Sequence, residues 1–300
     1  MIIETPGKVS DHITMFGRKE SCVYMVSCDE ERILIGGGTA YIIPEMLEQT
    51  ASLGIDENTI SHLIILHAHF DHCGIVPFFK KRWPKVRIAG SERAGTLLTT
   101  PKVVDAIGGL NQFMITQYGR QEQARELGIE FTAVDVDPTL KDGDTLTCGR
   151  LHLNIIETPG HSSCSISVYI PEEKALFASD AGGIPFGDDV FTAANSNFDQ
   201  YMASLDKMSA YDVDIYLAEH FGARTGADGR SFLQKSRASA VKARQLLEAS
   251  YARTRDIGKS TQEMTEFFMQ NSPEGFFPAE VTSLVVRQML SYLAKKAAVH

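Results

Sequence analysis

The sequence lacks several features that mark particular classes of protein. No segment holds about 18 or more consecutive apolar residues, which excludes a membrane-spanning helix. Basic residues are in deficit, with 29 Lys and Arg against 38 Asp and Glu. The resulting formal charge of -9 argues against a nucleic acid or an anionic membrane as the main partner. The first residues carry neither the basic nor the apolar segment of a signal peptide, so we expect a cytoplasmic protein.

Cysteine is also scarce, and its spacing matches no zinc-binding pattern. An odd number of cysteines in a chain of 300 residues indicates reduced thiols, and no disulfide framework is expected. Two of them lie beside the His-rich and Pro-Gly-His segments described below, and we expect both to be small packing residues. The five cysteines are Cys22, Cys28, Cys73, Cys148 and Cys164.

The chain does have enough apolar residues, 43% of the total, to form a sizeable core. Short β-rich runs occupy residues 1 to about 90 and again 129–180, and one more strand is predicted at 213–218. Helical patterns occupy 91–127, with a break expected at Gly108-Gly109.

After residue 228 the pattern is helical throughout, over 228–256, 260–270 and 279–298. Two strand-rich halves with helices predict an α/β (α+β) fold, an αββα sandwich with a helical C-terminal extension. We expect a main domain at 1–227, with a helical insert at about 91–127, and the extension at 228–300.

The segment that carries the most chemical information follows a predicted buried strand at 62–66. His67, His69, Asp71 and His72 fall within six residues there. All four are metal-ligand types, and one loop can direct His67 and His69 toward one ion and Asp71 with His72 toward a second. A single His on a turn is usually ordinary polar surface, but such a cluster at a strand end rarely is.

Three further loops have the same arrangement, in which a candidate ligand and a small residue follow a predicted strand. Each loop alone is weak support, since a lone strand-end His or Asp is more often a cap or a surface residue. Four such loops in one chain predict one shared site. The candidate ligands in the three loops are His161, Asp180 and His220.

In order along the chain, His-x-His-x-Asp-His, Pro-Gly-His, Ser-Asp-Ala and Glu-His-Phe-Gly resemble the motifs of the metallo-β-lactamase superfamily. The resemblance implies a metal-dependent hydrolase with two divalent ions. Zinc is the default, and iron or manganese also suits a nitrogen and oxygen site. By the same resemblance, the first ion would have the ligands His67, His69 and His161. The second would have Asp71, His72 and His220, with Asp180 bridging both ions.

Differences between this sequence and the superfamily motifs reduce the number of activities to be expected. Asp180 stands where the commonest zinc β-lactamases have Cys, so antibiotic hydrolysis is not expected. The 18 residues between His161 and Asp180, and the 39 between Asp180 and His220, leave no room for the added domain of nuclease members. Within the superfamily, the chain resembles the quinolone-signal response family of acyl-CoA thioesterases, at 71–74, 91–93, 276–280 and 287–290. That family has Glu at the position of Ile184, so the resemblance does not identify the substrate of this chain.

The implied nucleophile is a hydroxide bridging the two ions, and Asp71 would orient it by accepting its proton. A thiolate leaves without a proton donor, because the pKa of a thiol is about 8.5. We therefore expect a thioester substrate of the acyl-CoA type, a small molecule. Lactonase or esterase activity, and glyoxalase II-like hydrolysis of a glutathione thioester, are the alternatives. A non-enzymatic alternative is a metal-containing signalling effector that acts by binding a partner.

Substrate contacts are harder to predict from the sequence. The segment 101–120, with Phe113, Met114 and Tyr118, is a candidate pocket wall or lid. A homodimer contact through residues 281–293 is also open. Four histidines have no ligand context and are expected to be structural or exposed: His12, His62, His152 and His300. Four apolar residues would either line the pocket or pack as ordinary helix core: Phe276, Phe277, Met289 and Leu290.

Overall fold

The computed structural model describes residues 1–270 and 278–298. The predictions for Phe276, Phe277 and His300 therefore lie outside the described residues. The helices are α1 (Ile43–Ser52), α2 (Val76–Arg82), α3 (Glu92–Leu98), α4 (Pro101–Gln117), α5 (Gln121–Leu127), α6 (Phe198–Met208), α7 (Ala227–Thr254), α8 (Ile257–Gln270) and α9 (Ala279–Ala297).

Sixteen strands are present in the described part of the chain. They are β1 (Ile2–Ile3), β2 (Gly7–Lys8), β3 (Ile13–Arg18), β4 (Ser21–Ser27), β5 (Arg32–Ile35), β6 (Ile60–Ile64), β7 (Arg87–Ser91), β8 (Thr139–Leu140), β9 (Thr145–Cys148), β10 (Leu151–Glu157), β11 (Ile166–Ile170), β12 (Ala175–Phe177), β13 (Ile184–Phe186), β14 (Asp189–Phe191), β15 (Ile215–Leu217) and β16 (Ala223–Thr225).

Fourteen of these strands form two sheets of seven. The first sheet has the order β2-β3-β4-β5-β6-β7-β8, and the second has the order β1-β16-β15-β12-β11-β10-β9. The first sheet is antiparallel from β2 to β5 and parallel from β5 to β8. The remaining strands, β13 and β14, pair with each other in a separate hairpin.

The two sheets pack face to face, with helices on both outer sides. Strand β4 shows why, because its side chains are buried on both faces and alternate between two cores. Tyr24 and Val26 face the second sheet and join Val168 of β11 in the core between the sheets. Val23 and Met25 face the other way, toward α1 to α4. A third core lies between the second sheet and α6 to α9. The predicted αββα sandwich with C-terminal helices is confirmed.

Several predicted elements differ from the structure in instructive ways. Helix α4 continues through Gly108 and Gly109 without the expected break. The burial of Ile107, Asn111 and Ile115 on one face of α4 outweighs the low helix propensity of two glycines. The β13–β14 hairpin, with strands of three residues each, was not predicted. Helix α6 was also missed, although its buried residues recur at helical spacing and the Asn197 side chain caps its N-terminus. None of the described helices combines the length and apolar character needed to span a membrane.

The expectation that all five cysteines are reduced is wrong for one pair. Cys28 and Cys148 form a disulfide, with their Cα atoms 5.8 Å apart. Cys28 lies in the β4–β5 turn and Cys148 ends β9, so the bond joins the two sheets. Their separation of 120 residues along the chain gives no spacing signal. The other three cysteines are free and buried, and they include Cys73 and Cys164, the two expected to be packing residues.

Candidate metal centre

Four strand ends meet at one edge of the two sheets. In the second sheet β10 and β12 run in the same direction, because each is antiparallel to β11, and β15 is parallel to β12. The loops after these three strands therefore leave the sheet at one edge. The loop after β6 of the first sheet is tied to the same place, because the Ile166 amide donates a 2.9 Å hydrogen bond to the Leu66 carbonyl.

The first candidate group consists of His67, His69 and His161. Nε2 of His161 lies 3.2 Å from Nε2 of His67 and 2.9 Å from Nδ1 of His69. Nitrogens bound to one tetrahedral zinc ion at about 2.0–2.1 Å are separated by about 3.3–3.4 Å. The three nitrogens thus converge at nearly the spacing that ligands of a shared ion require, and they can hold a metal ion.

The second candidate group consists of Asp71, His72 and His220. The Nε2 atoms of His72 and His220 are 3.0 Å apart, and Oδ2 of Asp71 lies 3.6 Å and 3.5 Å from them, respectively. Asp180 lies between the two groups, because its Oδ2 is 3.3 Å from Nε2 of His72 and 3.5 Å from Nε2 of His161. One carboxylate therefore faces both groups, which is the placement that a bridging ligand needs. All seven predicted ligand residues are gathered at one place.

Backbone carbonyls orient two of the imidazoles. Nδ1 of His161 donates a 2.7 Å hydrogen bond to the carbonyl of Ala193, and Nδ1 of His220 donates a 2.7 Å hydrogen bond to the carbonyl of Glu20. With the proton on Nδ1, each ring presents the lone pair of Nε2 to the centre. This arrangement is typical of metal-ligating histidines.

Glu219 is a buried carboxylate at the candidate centre that the sequence analysis missed. Its side chain is only 2% exposed, and Oε1 accepts a 3.2 Å hydrogen bond from the Gly37 amide. Oε2 lies 2.9 Å from Nδ1 of His72 and also accepts the hydroxyl proton of Ser179, whose Oγ is 3.2 Å from Nδ1 of His67. One buried carboxylate therefore supports a histidine of each group. Its position directly before His220 was the only signal in the sequence.

The ligand loops adopt backbone conformations that most residues avoid. Ser179 and Phe221 have positive φ angles of 48° and 56°, and each lies directly beside a candidate ligand. Gly160, also beside one, has a φ of 129°, and a Cβ there would lie 2.1 Å from the backbone nitrogen of Tyr201. Such conformations persist only where the surrounding structure enforces them, and they cluster at functional sites.

The electrostatics of the centre suit cation binding. Burial, reinforced by neighbouring imidazoles, lowers the pKa of His67 well below its ordinary value and that of His69 to about 3. Burial works against the charged form of His72 as well, but the carboxylates of Asp180 and Glu219 raise its pKa well above the usual range. Burial thus favours the neutral form of His67 and His69 in the first group, and the neighbouring carboxylates favour a proton on His72 in the second. A divalent cation can replace that proton, because ligands bind metal in their deprotonated form.

A cleft of about 200 Å³ opens beside the first group. It is lined by Ala68, His69, Leu97, His161, Ser162, Ser163, Cys164, Asn195, Ser196 and Gln288. The helical segment at 91–127 contributes Leu97 of α3, and none of the residues 101–120 predicted as a wall or lid lines this cleft.

The other residues singled out from the sequence lie away from the candidate ligands. Tyr118 stacks on Tyr41, with ring centroids 3.9 Å apart, and Phe113 is exposed. Met289 and Leu290 are fully buried in the core under α6 to α9, so they pack as helix core and do not line the cleft. Three histidines contact residues outside the centre, as expected for a structural or exposed role: His12 with Glu173, His62 with Ser61 and His152 with Glu172.

The fold and the clustered donor atoms define a metallo-hydrolase. The chain belongs to the metallo-β-lactamase superfamily, whose family model matches residues 17–220. Members of this superfamily bind divalent metal ions, typically two, and the described residues contain groups able to hold them.

Curated relatives match the chain at low identity. A hydroxyacylglutathione hydrolase of Brucella anthropi is 33% identical over 90 residues, which are 28% of this chain and 32% of that protein. An atrochrysone carboxyl ACP thioesterase of Cryptosporiopsis sp. is 22% identical over 213 residues, 70% of this chain and 49% of that protein. The first of these alignments spans about a third of its relative and the second about half.

Solved structures share the fold over most of the chain. A metallo-β-lactamase family protein from Thermus thermophilus aligns with a TM-score of 0.67 at 19% identity, covering 99% of this chain and 94% of that one. A subclass B3 metallo-β-lactamase of Bradyrhizobium japonicum aligns with a TM-score of 0.59 at 22% identity, covering 84% of this chain and 96% of that one. The first of these likenesses covers nearly the whole chain, including its C-terminal helices.

Proposed function

We propose that this protein is a dinuclear metal-dependent hydrolase that cleaves a thioester of the acyl-CoA type. His67, His69 and His161 would hold the first ion, and Asp71, His72 and His220 the second, with Asp180 facing both. The convergence of these donor atoms in two adjoining groups supports the proposal. The nitrogen and oxygen donor set fits zinc, and it also accommodates iron or manganese.

A bound pair of divalent ions supplies a hydroxide nucleophile at neutral pH and polarises the scissile carbonyl. The chain's own residues then have distinct tasks. Asp71, whose Oδ2 lies 3.6 Å and 3.5 Å from Nε2 of His72 and His220, can accept a proton from the nucleophile. Glu219 keeps His72 in place, and the carbonyls of Ala193 and Glu20 keep His161 and His220 in the tautomer that binds metal.

The lining of the cleft is the observation that favours a thioester. Apart from the two candidate ligands His69 and His161, its described residues include no carboxylic acid, lysine or tyrosine. An amide nitrogen needs a proton donor when it leaves, whereas a thiolate, with a thiol pKa of about 8.5, leaves without one. A cleft of this composition therefore suits a thioester better than an amide.

The named relatives point to the same substrate class. One relative is named as a carboxyl ACP thioesterase, and another is named as a hydrolase of hydroxyacylglutathione. The sequence resemblance to the quinolone-signal response family of acyl-CoA thioesterases adds to this. Ile184, buried in β13, replaces the Glu of that family, so we place the substrate in the acyl-CoA class without naming the acyl group.

A glyoxalase II-like activity on a glutathione thioester is the second candidate, because several relatives carry the name hydroxyacylglutathione hydrolase. Lactones and esters are a further alternative. Their alkoxide or enolate leaving group also departs without a strong acid when a cation stabilises its negative charge. A signalling effector that acts by binding a partner would keep the metal centre but show no turnover.

The test is a hydrolysis panel with purified, metal-analysed protein. It contains the same acyl group as a CoA thioester, a glutathione thioester, a lactone or ester and an anilide. We expect turnover of thioesters that is abolished by chelation and restored by zinc, iron or manganese, with the anilide inert. Preferential lactone turnover would contradict the substrate class, and no turnover by fully metallated protein would contradict enzymatic function.

A further inference from the structure

Two grooves adjoin the cleft at the metal centre, one on each side. The first has a volume of about 420 Å³ and shares Asn195, Ser196 and Gln288 with the cleft. It runs along α9, and its other lining residues are Leu284, Arg287, Ser291, Tyr292 and Lys295. A molecule with its reacting carbonyl at the metal groups can therefore extend into this groove without crossing a wall.

The charges of the α9 groove are all of one sign. Arg287 and Lys295 are exposed, form no ion pair among the described residues, and have no carboxylate beside them in the lining. Two other cations nearby, Arg244 and Lys296, are both paired with Asp199. The carboxylate of Asp199 is thus already paired, and among the described residues the positive charges of Arg287 and Lys295 remain available for a ligand.

The groove on the opposite side has a different character. It is larger, about 570 Å³, and joins the cleft at Ser163 and Cys164. Its cations Arg93 and Lys141 share the lining with three carboxylates, those of Glu92, Asp144 and Glu157. A polyanion entering there would be repelled by these carboxylates. In the α9 groove the charged lining residues are both cations, which attract a polyanion.

We propose that the α9 groove binds the anionic carrier of the thioester, with Arg287 and Lys295 contacting its phosphate or carboxylate groups. This inference rests on the proposed thioesterase function and adds the part of the site that selects the carrier. Arg287 and Lys295 lie eight residues apart on one helix, so they are separated by about 12 Å along its axis. Gln288 lies at the junction with the metal cleft, Arg287 lies next to it, and Lys295 lies about 10 Å further along the helix. The two cations can therefore contact charged groups at different points of an extended carrier.

The experiment compares one acyl group on three carriers: CoA, which has phosphates, glutathione, which has carboxylates, and neutral N-acetylcysteamine. The variants are Arg287→Glu, Lys295→Glu, their combination, and the conservative Arg287→Lys. Lys242→Glu, an exposed position on α7, makes the same charge change away from the groove. Thermal unfolding confirms that each variant is folded.

For the combined variant we expect at least a tenfold rise in KM for the preferred anionic carrier, with kcat within twofold. KM for the neutral carrier should stay within twofold, Arg287→Lys should retain most of the affinity, and Lys242→Glu should behave as wild type. The carrier that shows the effect identifies phosphate or carboxylate as the bound group. Equal changes for charged and neutral carriers, or no change for either charged carrier, would overturn the inference.

Calorimetry with the free thiols, CoA and glutathione, separates this inference from the proposed function. If no thioester is hydrolysed but wild type binds one of these thiols at least tenfold more tightly than the combined variant does, the groove assignment stands and the thioesterase proposal fails. If thioesters are hydrolysed and neither thiol distinguishes the two proteins, the proposed function stands and the groove assignment fails.

Discussion

Replacing Glu219 by Gln would remove the charge that connects the two candidate metal groups while keeping the side chain's shape. Oε1 of Glu219 faces an N–H donor at Gly37, and Oε2 faces Nδ1 of His72 and the hydroxyl of Ser179. A glutamine has only one carbonyl oxygen, so in either orientation its NH2 group meets a donor. Loss of a charge-assisted hydrogen bond costs about 1.5–3 kcal/mol.

A cost of that size predicts a specific effect on metal affinity. It corresponds to the roughly 10–100-fold loss that follows removal of a hydrogen-bond partner behind a metal ligand. Because Glu219 contacts His72 directly and His67 only through Ser179, the second group should lose more affinity than the first. Competition titration of zinc against a chelator measures both binding steps.

Glu126→Gln on the exposed face of α5 is the matched control, since Glu126 forms no ion pair among the described residues. The control should bind zinc as wild type does. If Glu219→Gln is folded and both of its zinc affinities stay within twofold of wild type, the bridging role of this carboxylate is refuted.

Three further predictions concern the framework of the centre. Gly160→Ala should destabilise the protein by about 2–5 kcal/mol in urea unfolding, because its Cβ would lie 2.1 Å from the Tyr201 nitrogen; a loss below about 0.5 kcal/mol would contradict this. Asn111→Ala should lower the free energy of unfolding by about 2–3 kcal/mol, because the Ala40 amide loses a 2.8 Å hydrogen bond and the Phe70 carbonyl loses one of 3.0 Å. The control Asn58→Ala, at an exposed position, should lower it far less. Reduction with dithiothreitol should lower the unfolding free energy by about 2–4 kcal/mol in wild type and leave a Cys28→Ser variant unchanged; equal responses would contradict a disulfide across 120 residues.

The ligand loops could be predicted from the sequence because their signals are local. His67, His69, Asp71 and His72 are neighbours in the chain, and a ligand type at a strand end is visible without any knowledge of the fold. The four-layer architecture also followed from two strand-rich halves and a helical end. These features depend on short-range patterns, which a sequence displays directly.

The features that were missed depend on contacts between distant segments. Glu219 is one carboxylate among 38 acidic residues, and its partners Gly37, Ser179 and His72 come from three different loops. The disulfide likewise joins two turns that only the packing of the sheets brings together. Helix α4 passes through two glycines because tertiary burial, which local propensity does not describe, determines its course.

The central claim is that two groups of side chains bind one divalent ion each. The most direct test is metal content by mass spectrometry for wild type, His69→Ala and His220→Ala, each saturated with zinc and then desalted. The account predicts about two ions per chain in wild type and about one in each variant, with His69→Ala losing the first site and His220→Ala the second. If wild type holds at most one ion, or if neither variant loses any, the two-group assignment is contradicted.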